Sequence, residues 1–369
     1  MLRLSAMDQS TAVVGRSHQD SIQETIALAQ HCERLGYHRF WVSEHHNHPS
    51  IVGTAPEILM AAIAARTSRI RVGSAGVMLP HYSALKVAEQ FRVLDAIAPG
   101  RIDLGVGRAP GSDGRTAMAL NAGAATGADN FPRQLKDLDA WVHGTPLEDG
   151  HPFAAIKALP QGETAPELWV LGSSDYGAQV AAYFGLPYCY AWFITDGRGA
   201  PEALELYRTT YRPSARHPEP QSAVCIWAIT APTEAEAQHL FWSRARTRLM
   251  RDKGMWLPVE PPEAAAAHPY TDGDRRRLDE IRASSFVGTP DQVAGKLKAV
   301  ATGLEVQDLV VLTWAYDAEV RRRSYTLLAE AFGLPKSAAK AAPARDGQVL
   351  SIRIVWAPFQ STVRPSSGS

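Results

Sequence analysis

The chain has 369 residues, 45% of them hydrophobic and 21% charged, a composition that suits a globular protein with a sizeable core. Its 38 Lys and Arg balance 38 Asp and Glu, and no basic stripe stands out, so neither nucleic acid nor an anionic membrane is an expected partner. No apolar run approaches the roughly 20 residues that cross a bilayer. The N-terminus shows no signal-like apolar segment, and Cys32, Cys189 and Cys225 form no CxxC pair, which points to a cytoplasmic protein without disulfides.

Short apolar runs alternate with helical patterns along the chain. Residues 2–7 read as a first strand, with a helix over 21–35 that Gly36 stops. Residues 39–43 form a second strand before a helix over 55–66. Residues 70–78 form a third before a helix over 84–97, and 102–106 a fourth. A longer excursion then holds a helix over 131–142 and a Gly- and Pro-rich loop to Pro166. Residues 168–171 are a fifth strand before a helix over 176–184, and 188–194 a sixth before a helix over 201–211. Residues 223–229 are a seventh, and Thr233 with Glu236 has capping-box spacing for the helix after it. Residues 254–285, rich in Pro and Ala, read as an insertion. Thr289-Pro290 with Gln292 opens another capped helix; residues 308–313 are the eighth strand, and a helix over 318–332 follows. Residues 336–369 break the pattern and read as a poorly ordered tail to a domain spanning 1–335.

Eight strand–helix units imply parallel pairing and fit an α/β fold of the (β/α)8 TIM-barrel kind, with an insertion after strand four and a lid-like one after strand seven. An open doubly wound sheet is the alternative. In a barrel, chemistry sits at the carboxyl ends of the strands. Those ends carry Asp8-Gln9, Glu44-His45-His46, Ser74-Ala75-Gly76, Gly105-Val106-Gly107-Arg108, Gly172-Ser173-Ser174, Trp192 and Thr313-Trp314. Gly73, Gly76, Gly105, Gly107 and Gly172 together let a flat ligand approach the backbone, though each taken singly better suits a tight turn or a barrel kink. Gly172-Ser173-Ser174, between a strand and a helix, suits a phosphate or plain N-capping. Arg108 suits the same phosphate or a rim salt bridge. His45, His46, His48 and His81 have residue types for a metal, but strands five to eight end without His or Asp, so no metal ligand is assigned.

These residues fall in stretches that resemble the bacterial luciferase-like, flavin-dependent monooxygenases, in particular the single-chain subgroup without a settled substrate. The stretches are residues 4–10, 36–47, 69–81, 88–91, 99–108, 171–174, 286–290 and 323–325, in family order over residues 2 to 335. The resemblance implies the same barrel, with FMN bound in its reduced form or a deazaflavin in some relatives. It implies that His45 lies beside the flavin and assists catalysis. Ala75-Gly76 match a pair joined by a cis peptide against the ring. Gly107 stands where the luciferase α subunit has a reactive cysteine. Arg108 matches a phosphate-binding arginine, and Gly172, Ser173, Ser174 and Tyr176 fall in the phosphate loop. Gly177 replaces a serine common in the subgroup. Residues 254–285 take the place of a lid.

The function expected is a two-component monooxygenase acting on a small organic substrate with dioxygen. A separate flavin reductase supplies the cofactor, because no second GxGxxG dinucleotide fingerprint is found. Glu44 is expected to orient His45 or His46, and Trp192 and Trp314 to wall an apolar pocket, with Trp41 in the core. A flavin- or deazaflavin-dependent hydride-transfer reductase, a metal-dependent barrel hydrolase and a non-catalytic flavin-binding protein are the alternatives, and a homodimer is left open.

Overall fold

Parallel strands must be joined by long crossovers, and helices supply them here. The computed structural model describes residues 2–109, 113–122 and 130–335. Its strands are β1 (Arg3–Asp8), β2 (Arg39–Val42), β3 (Arg71–Ser74), β4 (Val77–Met78), β5 (Ile102–Gly107), β6 (Glu167–Gly172), β7 (Tyr188–Tyr190), β8 (Ser222–Thr230), β9 (Phe286–Gly288) and β10 (Asp308–Leu312). The order is β10-β1-β2-β3-β5-β6-β7-β8, and β10 pairs with β8 to close the ring. Every ladder is parallel, with Arg3 opposite Asp308 and Val310 opposite Cys225 at the closure. The open sheet is thereby replaced by a closed eight-stranded barrel; β4 and β9 pair beside β5 and β8. Among the described residues no helix is long and apolar enough to cross a membrane.

The two-residue period of each strand separates two cores. Phe40 and Val42 face the layer of helices, whereas Trp41 between them points into the barrel. There it meets Trp169 edge-on, with ring centroids 5.3 Å apart. Along the same inward rows, two residues earlier, lies a charged layer. Arg39 Nη1 donates to Asp103 at 2.7 Å and to Glu167 at 2.8 Å, while its Nε reaches Asp308 at 3.3 Å. Trp41 Nε1 and Arg71 also donate to Asp103, and Ser5 donates to Asp308. These charges plug the amino-terminal end of the barrel, opposite the end where chemistry is expected.

Local signals explain several boundaries. The first helix begins at His18, ahead of the expected start, because Ser17 and Asp20 form a reciprocal capping box. The third strand is two strands, split where the Ala75–Gly76 peptide is cis. The sixth ends at Tyr190 and gives way to a short helix, Trp192–Thr195. The chain then turns through Asp196 and Gly197, both at positive φ, and any Cβ on Gly197 would overlap the Trp192 indole. Within residues 254–285, read as an insertion, Pro262–Ala267 and Asp272–Ala283 are helices, the first with proline at its start and the second with a Thr271/Asp274 capping box. The excursion after β5 contains the helices Gly114–Leu120 and Phe131–His143. The expected tail, 336–369, lies outside the described residues.

The barrel's tight interior yields one prediction. A Cβ on Gly105 would overlap the Ser74 carbonyl oxygen and the Leu171 side chain. Backbone cannot swing aside as a side chain can, so Gly105→Ala is expected to destabilise the fold by about 1–3 kcal/mol or more, read as a lower urea midpoint. An unchanged midpoint would show that the β3–β5 contact is slack.

Candidate active site

The loops after β1, β2, β4, β5, β6 and β10 meet along one arc of the carboxyl-terminal rim. Glu44, which follows β2, is nearly fully buried and is the arc's polar hub. Its carboxylate accepts from Tyr82 Oη at 2.6 Å, from the Met78 backbone N–H at 3.1 Å and from His46 Nε2 at 2.7 Å. Glu44 therefore positions His46, not His45, and ties the β2 loop to β4. Burial, followed by the bond to Glu44, pushes the Tyr82 phenol well above its ordinary range. Asn47, at positive φ, donates to Thr116 at 3.1 Å and so ties the same loop to the helix Gly114–Leu120.

His45 is held from the other side. Trp314, which follows β10, donates its indole Nε1–H to Gln9 Oε1 at 3.0 Å. An indole nitrogen can only donate, so it fixes the Gln9 amide with its oxygen toward Trp314 and its NH2 toward His45. That NH2 lies 3.3 Å from His45 Nε2. Nε2 is then the acceptor, and the neutral ring carries its proton on Nδ1. His48 packs against His45 and Trp256, with ring centroids 5.4 Å and 4.5 Å away. Burial, the largest cause, pushes its pKa down to about 4, so it is neutral at pH 7. Gln9 stood on the sequence-derived rim without a role; its function shows only when β10 closes on β1.

The phosphate candidates gather at β5 and β6. Gly107 pairs with Met78, and a Cβ there would meet nothing closer than the Leu171 carbonyl oxygen at 3.9 Å. Exposed Arg108 lays its guanidinium 3.9 Å from the Tyr176 ring centroid. Ser174 is the N-cap residue of the helix Asp175–Phe184, yet its hydroxyl makes no capping bond. Plain N-capping by Ser174 therefore does not hold, and among the described residues Arg108 makes a ring contact and no ion pair. Ser173 is half-buried and Ser174 exposed beside the first-turn N–H groups. The five glycines divide. Cβ atoms on Gly73 and Gly76 would crowd Trp41 and the Gly105 carbonyl, so those two and Gly105 serve packing inside the barrel, while Gly107 and Gly172 leave room beside the rim. Among the described residues no group of three or more His, Cys, Asp or Glu is placed to share a metal ion.

A family described as luciferase-like monooxygenase matches residues 3–306. The chain belongs to the luciferase-like monooxygenase family. Two relatives of this luciferase-like chain come from Bacillus subtilis. The uncharacterized protein YwcH is 43% identical over 90% of this chain and 99% of its own length. An N-acetyl-S-alkylcysteine monooxygenase is 38% identical over 90% of this chain and 98% of its own length. Among solved structures, apo-MsnO8 superimposes with a TM-score of 0.83 at 37% identity, over 91% of this chain and 100% of that one.

Proposed function

We propose that this luciferase-like protein is the oxygenating component of a two-component monooxygenase that binds reduced FMN and acts with dioxygen on a small organic substrate. The observation that carries the reading is the phosphate cradle: an N-cap serine hydroxyl without a capping bond beside an arginine stacked on Tyr176. Helix N–H groups, hydroxyls and a guanidinium are the donor set that a phosphate monoester needs. Gly172, Ser173, Ser174, Arg108 and Tyr176 would hold the phosphate, and Ala75, Gly76 and Gly107 would line the ring. Reduced FMN, supplied by a separate flavin reductase, provides the electrons with which dioxygen is activated. His45 works beside it, moving the proton that Gln9 leaves on Nδ1. The segment 254–285 covers the rim as a lid: Val259 bridges to Val13, and the Leu257 carbonyl accepts from Ser50 Oγ at 2.7 Å. The three cysteines are buried and unpaired, in keeping with a cytoplasmic setting.

Anaerobic titration with photoreduced FMN tests the cradle. Arg108→Ala and Ser174→Ala are expected to weaken binding by about 10- to 100-fold each, the worth of a hydrogen bond to a charged group. Unchanged affinity in both variants would remove the cradle from the cofactor site. A chain that bound a deazaflavin and not reduced FMN would replace oxygenation with hydride transfer.

A further inference from the structure

A second, narrow cavity opens where the chain leaves β7, beside β8 and β9. Between Trp192, Phe193, Trp227, Phe241 and Phe286 it encloses only about 20 Å³, and its mouth is open to solvent. Its walls are aromatic, and its charged and hydroxyl groups are Arg244, Arg248, Asp196, Ser284 and Ser285. Arg244, on the helix Glu234–Asp252, lines it and is 8% exposed. The guanidinium lies between two indoles, 5.5 Å from the Trp227 ring centroid and 5.4 Å from that of Trp314. Among the described residues no carboxylate, carbonyl or hydroxyl accepts from it. The acids nearby are already engaged. Asp196 accepts from Arg248 at 2.6 Å, and Asp252 is shared by Arg248 and Arg277. Two further donors at the cavity, the Trp227 indole N–H and Arg248 Nε–H, are buried without an acceptor among the described residues.

The Arg244 guanidinium is mostly buried without an anion, and its nitrogens keep only their remaining contact with solvent at the cavity mouth, which is unfavourable for a charge. Burial, then Arg251 and Arg248, pushes the Arg244 pKa down to about 9, which still leaves it charged at pH 7. Buried donors that no protein acceptor satisfies, inside apolar walls, are complementary to one ligand type: an apolar molecule ending in an anion. The site also adjoins the candidate chemistry, because the Trp314 that Arg244 faces is the residue that orients Gln9 toward His45.

We propose that Arg244 anchors the carboxylate of an otherwise apolar organic acid, and that such acids are the substrate class of this barrel. Their role as substrates rests on the monooxygenase reading; their binding does not. A planar carboxylate matches one guanidinium fork, and the phosphate cradle lies elsewhere on the rim, at β5 and β6.

Octanoate and its neutral counterpart 1-octanol are titrated into the full chain by tryptophan fluorescence, with FMN binding measured on the same preparation. Octanoate is expected to bind about 10- to 100-fold more tightly than the alcohol. Arg244→Met is expected to abolish that preference, and Arg244→Lys and Trp227→Phe to reduce it. The Met variant, relieved of an unpaired charge, is expected to melt no lower than the parent. Equal binding of acid and alcohol, or a preference that survives in Arg244→Met, would overturn the proposal. So would displacement of octanoate by inorganic phosphate at equal concentration, the mark of a small-anion site. If FMN binds and the octanoate preference is absent, this inference alone fails. If the preference is present and no flavin binds, the monooxygenase reading fails and the carboxylate site stands.

Discussion

Arg39→Met is expected to lose about 3–5 kcal/mol of stability at pH 7, the range found when one partner of a buried ion pair is removed. Arg39 is almost completely buried, and three carboxylates converge on it. Burial alone would lower its pKa, but Asp103, Glu167 and Asp308 outweigh that and raise it. Without Arg39, Asp103 keeps Arg71 and Trp41 as donors, and Asp308 keeps Ser5 and the half-exposed Arg3. Both carboxylates then stay buried with too little positive charge. Arg39→Lys is expected to rescue little, because an ammonium cannot reach three acceptors with the spread of a guanidinium fork.

The pH dependence follows from the two acids. Burial opposes the Asp103 charge, yet Arg39 and Arg71 hold its carboxyl below its ordinary value, so its contribution is present above that value and is lost as pH falls through the folded one. Asp308 is raised instead, because burial outweighs Arg39 and Arg3, and its contribution grows as pH falls. In Arg39→Met both acids take up protons more readily in the folded state. The gap between variant and parent is therefore expected to narrow from pH 7 toward pH 4 in urea titrations. A gap that stays constant would show that lost packing, not unpaired charge, is the defect.

On the function proposed above, His45→Ala lowers turnover by about 10²- to 10⁴-fold with FMN affinity nearly unchanged, because His45 would move a proton rather than hold the cofactor. Gln9→Leu gives a finer test. It removes the donor at His45 Nε2 while keeping the ring in place, so the tautomer preference is lost and the pH–rate profile moves although the FMN dissociation constant does not. Nitrogen shifts of His45 should report a proton on Nδ1 in the parent and a mixture in the variant. Parent shifts showing the proton on Nε2 would contradict the Trp314–Gln9–His45 relay.

The barrel was legible because its signals are local. Strand periodicity, the capping boxes at Thr233 and Thr289, and glycines such as Gly36 lie within a few residues of the elements they delimit. The rim was legible for a related reason: whatever follows a barrel strand must reach its carboxyl end, so Glu44-His45-His46, Arg108 and Ser173-Ser174 could be gathered by counting strands. What failed was also local in origin. Tyr188–Ile194 looks like one apolar strand, and only the packing of Trp192 over Gly197 turns it into strand and helix. Within the segment 254–285, read as an insertion, the two helices went unread because its prolines start helices instead of breaking them.

Partnership was not legible, because it joins residues that chain order keeps apart. Arg39 meets Asp103 and Asp308 across 64 and 269 positions, and Trp314 reaches Gln9 across 305. Sequence by itself determined that eight strand–helix units would form and which polar residues would stand at their ends, since both depend on neighbours along the chain. Tertiary structure alone decided that Glu44 serves His46, that Gln9 serves His45 and that, among the described residues, Arg244 meets aromatic rings and no acid accepts from it. A hydrogen bond, or the lack of one in a buried place, is a property of what closure of the ring brings within about 3 Å.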